Sequence, residues 1–299
     1  MPETGRDEAA QGEAAQGEAV LAEALAAYRA ALGSRLVAGY ALGSLAHGGF
    51  SPLVSDVDLG LILADPPRVT DRLRIRAAAG PVRGGGSELH ERLSVFWGTP
   101  STLRGQARGG RFPPLDRLDL LEHGRLLAGR DARAGLTRPD RAELLVAGAE
   151  FALGYLGGAR NLPERLQSLA RRQPGSGTAI DEVRRPVLLV SRGPRRLTKV
   201  VLFPVRFLFT AATGQVGTNA LAAEYYLAQA QAPATELVSA ALTWRREPPA
   251  DVAAAVALLD TELMPLYVHY IDDHIARLLK AGRQQLAGRF RQWRSRLLA

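Results

Sequence analysis

The chain of 299 residues contains no cysteine. That excludes a disulfide framework, a zinc–thiolate site and a cysteine nucleophile. Aromatic residues make up only 6% of it, and no nucleic-acid-binding motif appears. Nucleic acid is therefore not the expected partner. Arg, Glu, Asp or Gly interrupts each apolar run, so no membrane span is expected. The opening MPETGRDEAAQGEAAQGEA lacks the basic-then-apolar order of a secretory signal. A cytoplasmic protein is the expectation.

What is present suits a folded chain of two domains. Hydrophobic residues reach 46%, enough for a sizeable core. Lys and Arg number 38 against 30 Asp and Glu, a formal net charge of +8 that is mostly Arg and widely spread. Such a balance suits an anionic partner such as a nucleotide.

Residues 1–18 carry the echo AAQGE-AAQGE and read as a disordered tail. Residues 19–32 have the apolar spacing of a helix, stopped by Gly33 and Ser34. LVAGYAL and VDLGLILA read as strands, DRLRIRAAAG as a helix and residues 91–97, ERLSVFW, as a third strand. LDLLEHGRLLAGRD (118–131) reads as a last strand or turn. From about Asp140 the segments 140–158, 178–190, 197–213, 217–230, 234–243 and 251–298 read as helices, with breaks at 163, 174–177, 193–194 and 248–249. The expected architecture is α+β: a small mixed sheet over 19–135, then an all-α domain over 136–299.

The chemistry concentrates in residues 42–59, LGSLAHGGFSPLVSDVDL. Gly43 and Ser44 follow a strand and precede Gly48 and Gly49. A glycine turn lets backbone N–H groups converge on a phosphate oxygen, and Ser44 adds a hydroxyl. Asp56 and Asp58 alternate along a strand and so share one face, while Val57, Leu59, Leu61 and Leu63 take the other. Neighbouring carboxylates repel unless a cation sits between them. Oxygen ligands shared with substrate phosphates are what Mg²⁺ prefers. The combination points to phosphoryl or nucleotidyl transfer.

On Gly43, Ser44, Ala46, Gly48, Ser51, Ser55, Asp56 and Asp58, the segment resembles the DNA polymerase β-like nucleotidyltransferase superfamily. The resemblance implies that Asp56 and Asp58 bind Mg²⁺ and that Gly43, Ser44 and Ser55 lie at the triphosphate of ATP or another nucleoside triphosphate. It also implies a third carboxylate on a nearby strand. Glu91 is the first candidate, as general base or metal ligand, and Glu88 the second; Ser94 cannot serve. His47 stands where relatives often carry Arg.

KVVLFPVRFLFTAATGQVGTNALAAEYYLAQ (199–229) is similar to the helical domain of the streptomycin/spectinomycin-type adenylyltransferases. Such a domain closes over the nucleotide and supplies part of the acceptor pocket. Lys199 and Arg206, seven apart on one helix face, are candidate phosphate contacts. Two departures weaken an antibiotic assignment. GPRRLTK carries Arg195, Arg196 and Lys199 where those relatives have acids for a cationic drug, and Gln215 stands where they tend to have Lys.

The expected function is thus transfer of a nucleoside monophosphate, AMP from ATP, to a hydroxyl of a small-molecule acceptor. The alternative is a protein-modifying or regulatory member of the superfamily, acting on a partner protein as toxin–antitoxin members do. The tail HIARLLKAGRQQLAGRFRQWRSRLL reads as an amphipathic helix docked on its own domain.

Overall fold

The structure is a computed structural model that describes residues 3–158 and 179–299. The breaks expected at 163 and 174–177 lie outside the described residues. The chain divides into two compact units, Met1–Pro139 and Asp140–Ala299.

The first unit is built on a four-stranded mixed sheet in the order β3-β2-β1-β4. Its strands are β1 (Leu36–Leu42), β2 (Val57–Leu63), β3 (Leu93–Gly98) and β4 (Arg125–Gly129). β1 runs antiparallel to both β2 and β4, and β2 runs parallel to β3. Helix α1 (Glu3–Leu32) leads into β1, and α2 (Ser44–His47) follows it. α3 (Val69–Arg83) and α4 (Glu88–Glu91) lie between β2 and β3, and α5 (Pro100–Leu103) and α6 (Pro114–Glu122) between β3 and β4.

The two faces of the sheet bury different residues, as period-2 alternation requires. Val57, Leu59, Leu61 and Leu63 of β2 pack with Val20, Leu21, Ala24, Leu25, Tyr28 and Leu32 of α1. Each of these leucines contributes about 2 kcal/mol through burial. The opposite face gathers Ala38, Tyr40 and Leu42 of β1, Ile62 of β2, Phe96 of β3 and Leu120 of α6. Asp58 belongs to that second face.

Helix α1 begins well before residue 19 and takes in most of the stretch expected to be disordered. Long-range contacts hold its middle. Gly17 is buried, with Phe50 and Leu45 where a side chain would project. Glu18 pairs with Arg125 of β4. Neither partner is visible from the local AAQGE pattern.

The third strand starts at Leu93 rather than Glu91, because residues 88–91 coil into α4. His90 draws them out of strand geometry. Its ring sits 2.7 Å from Ser87 Oγ and 3.0 Å from Glu23 of α1.

A buried ion pair ties the start of the sheet to α3. Arg35 donates to Asp71 through Nε at 3.1 Å and Nη2 at 2.6 Å, and Nη2 also reaches the Pro66 carbonyl. Asp71 accepts the Arg68 N–H as well, capping α3. Burial pulls the Asp71 carboxyl upward, but Arg35 and the Arg68 N–H outweigh it and hold it below the usual carboxylate range. Beside the second face, Tyr40 donates its hydroxyl to Asp131 at 2.8 Å and accepts the Ala132 N–H at 2.7 Å. Burial is the main cause that pushes its phenol up to about 12, so the donor stays protonated.

The second unit is all helix among its described residues: α7 (Arg141–Tyr155), α8 (Ala179–Arg184), α9 (Pro186–Ser191), α10 (Pro194–Thr213), α11 (Asn219–Leu227), α12 (Thr235–Trp244), α13 (Val252–Lys280) and α14 (Gln284–Leu298). Asp140 caps α7 by accepting the Glu143 N–H. Pro186 splits the helix expected over 178–190, and Pro194 opens α10 three residues earlier than expected. The long helix expected over 251–298 is two, broken where Gly282 takes a positive φ of 71° and Arg283 N–H returns to the Leu278 carbonyl.

By length and composition α13 could cross a membrane, although Asp260 and Glu262 interrupt its apolar run as expected. Leu263, Leu266, Tyr267, Tyr270, Ile271 and Leu278 of this helix are buried in the core of the unit. α14 docks Phe290, Trp293 and Leu297 into the same core.

Candidate active site

The turn between β1 and β2 is organised around Gly43. Its φ of 61° lies in the left-handed region. The Gly43 carbonyl accepts the N–H groups of Ala46 and His47 at 2.9 and 3.0 Å, which starts α2. Its N–H donates to Asp119 Oδ2 at 2.6 Å, 76 residues away on α6. On its Cα side lies Asp58 Oδ2, which a methyl group at Gly43 would collide with. The register explains that approach, since Leu42 of β1 pairs with Asp58 of β2. The structure therefore brings Asp58 and the Gly43–Ser44 turn together.

Asp56 is delivered by a tight loop just ahead of β2. Ser51 N–H donates to Ser55 Oγ at 3.0 Å, and Ser55 N–H donates to the Ser51 carbonyl at 2.8 Å. Arg92 clamps the same loop by donating to the carbonyls of Pro52 and Leu53 at 2.7 and 3.2 Å. Ser55 is buried, and its Oγ accepts one hydrogen bond within this loop. Asp56 and Asp58 are both half-buried.

Glu91 is exposed at the end of α4, outside β3. Glu88 pairs with Arg92. Ser94 is the β3 residue in register with Asp58, so β3 places a hydroxyl, not an acid, at that position. The carboxylate that the fold does bring to the turn is Asp119. Asp119 is 8% exposed, flanked by the buried Leu118 and Leu120, and its Oδ1 is buried with no hydrogen-bond partner. No sequence signal marks it, because its contact is with a backbone N–H and depends on how α6 packs.

His47 stacks edge-on against His123 at 5.5 Å between ring centroids, with its Nδ1 3.1 Å from the Gly48 carbonyl. Lys199 and Arg206 lie on α10 in the second unit, both over the ring of Phe203, at 5.9 and 5.6 Å. Arg206 also donates to the Gly217 carbonyl. Arg196, one of the cations of GPRRLTK, is buried and paired with Glu182 at 2.6 Å. One of that stretch's three cations is thus balanced inside the unit.

Asp58 of β2 and Asp56 of the loop just ahead of it offer carboxylate oxygens two residues apart. Among the described residues no group of three or more His, Asp or Glu is placed to hold a metal. Two carboxylates fit Mg²⁺ when phosphate oxygens and water complete the octahedron. The close approach of Asp58 to Gly43, with the buried Asp119 Oδ1 that lacks a hydrogen-bond partner, also fits a cation-binding site.

No family model matches the sequence, and no curated protein matches it. Among solved structures the chain is similar to the crystal structure of spectinomycin adenyltransferase AAD(9) from Enterococcus faecialis with ATP and spectinomycin. The identity is 13% and the TM-score 0.49, over 83% of this chain and 98% of that one. A likeness of that degree says nothing of the residues at the site.

Proposed function

We propose that the first unit is a Mg²⁺-dependent nucleotidyl-transfer centre that moves AMP from ATP to a hydroxyl of a small-molecule acceptor, with release of pyrophosphate, in the cytoplasm. The observation that carries this reading is the meeting of the Asp58 carboxylate with the Gly43–Ser44 turn. Asp56 and Asp58 would hold the metal. When bound, Mg²⁺ would neutralise triphosphate charge and polarise the phosphorus under attack. Gly43 gives the turn its left-handed bend and lets Asp58 lie against the backbone. The Ser44 hydroxyl opens α2 at the same turn and is the protein's own donor to a phosphate oxygen.

The test is pyrophosphate release from ATP with Mg²⁺ and a panel of hydroxylated acceptors. Asp56→Asn and Asp58→Asn are each expected to lower the rate about 10³-fold, or ~4 kcal/mol of transition-state stabilisation. Their circular-dichroism spectra and melting temperatures should stay near wild type. Full activity in either variant would remove the site assignment.

A further inference from the structure

We infer that Asp119 is a positioning residue of this centre, a third carboxylate that acts on the Asp56–Asp58 pair from outside the metal's coordination shell. The inference rests on the functional reading above.

One half of the argument is geometric. Asp119 Oδ2 accepts the Gly43 N–H at 2.6 Å, the short distance of a charge-assisted bond. Gly43 is the residue against which Asp58 Oδ2 packs. Asp119 therefore fixes the backbone on which the position of Asp58 depends. Its burial between Leu118 and Leu120 keeps it from swinging into solvent.

The other half is electrostatic. Anchoring a backbone N–H takes one acceptor oxygen, which an asparagine would supply equally well. Asp119 brings a second oxygen, buried and without a hydrogen-bond partner. A buried polar atom of that kind points to a missing ion or water, or to a role in function. Two carboxylates beside one glycine repel each other, and a cation nearby relieves the repulsion. No third acid converges at ligand range among the described residues, so Asp119 serves the metal as a neighbouring charge rather than as a ligand.

The experiment compares wild type, Asp119→Asn and Asp58→Asn by calorimetric titration of ATP over a series of Mg²⁺ concentrations, with a parallel series in EDTA. Asp119→Asn keeps the acceptor for Gly43 and loses only the charge. It should melt as wild type does, yet need about 10 to 100 times more Mg²⁺ for half-maximal ATP binding, the usual effect of removing an outer-shell partner. Mg²⁺ alone should raise its melting temperature less than it raises that of wild type. An unchanged Mg²⁺ requirement in Asp119→Asn would overturn the inference. So would failure of that variant to fold, since the charge would then serve the fold and not the metal. If Asp58→Asn abolishes the Mg²⁺ dependence while Asp119→Asn leaves it intact, only the role of Asp119 falls. If neither changes it, the proposed function falls as well.

Discussion

Gly43→Ala should abolish Mg²⁺-dependent ATP binding and destabilise the first unit by about 2–4 kcal/mol. Two physical effects combine. A φ of 61° is strained for any residue with a Cβ. The new methyl group would also meet Asp58 Oδ2, so the carboxylate must leave its position or the turn must open. Either response separates Asp58 from the turn. Gly33→Ala is the control: its φ of 56° is also positive, but a methyl group there meets nothing within 4 Å. It should show backbone strain alone, about 1–2 kcal/mol, and keep binding. Urea unfolding gives the stabilities and calorimetry the binding. Equal behaviour of the two variants would mean that the Asp58 contact has no role.

The second large effect concerns the fold. Arg35→Ala should destabilise the first unit by about 3–5 kcal/mol, because it leaves the buried Asp71 carboxylate facing only the Arg68 N–H. The double variant Arg35→Met with Asp71→Leu should recover most of that loss, since apolar residues of similar size remove both charges from the interior. The pair also has a pH signature. The Asp71 carboxyl is held below its ordinary range in the folded protein. Its contribution is therefore complete above about pH 4, near the unfolded value, and is lost as pH falls through the folded one. Wild type should lose stability below about pH 4 more steeply than the double variant. Parallel curves would show that the pair carries no linkage.

The elements legible in the sequence were those whose signal is local. The alternation of Asp58 against Val57, Leu59, Leu61 and Leu63 correctly assigned the two faces of β2, while Asp56 stands in the loop ahead of the strand. Apolar periodicity correctly separated a mixed-sheet region from a helical one. What failed was set by partners distant in sequence. Glu91 reads as a strand residue by itself, yet His90 binds Glu23 of α1 and the segment coils. The AAQGE stretch reads as disordered, yet Gly17 and Glu18 dock on Phe50 and Arg125. Asp119 carries no motif, because the turn it holds presents only a backbone N–H to it. Two breaks do carry a local signal: Gly282, across which the apolar stripe continues, and Pro186, which splits the helix expected over 178–190.

The most direct measurement is titration of ATP into the wild-type protein by calorimetry, with Mg²⁺ and then with EDTA, repeated on Asp58→Asn. A working centre on Asp56 and Asp58 predicts binding that needs Mg²⁺ and is lost in the variant. Binding that survives EDTA, or persists unchanged in Asp58→Asn, would contradict it.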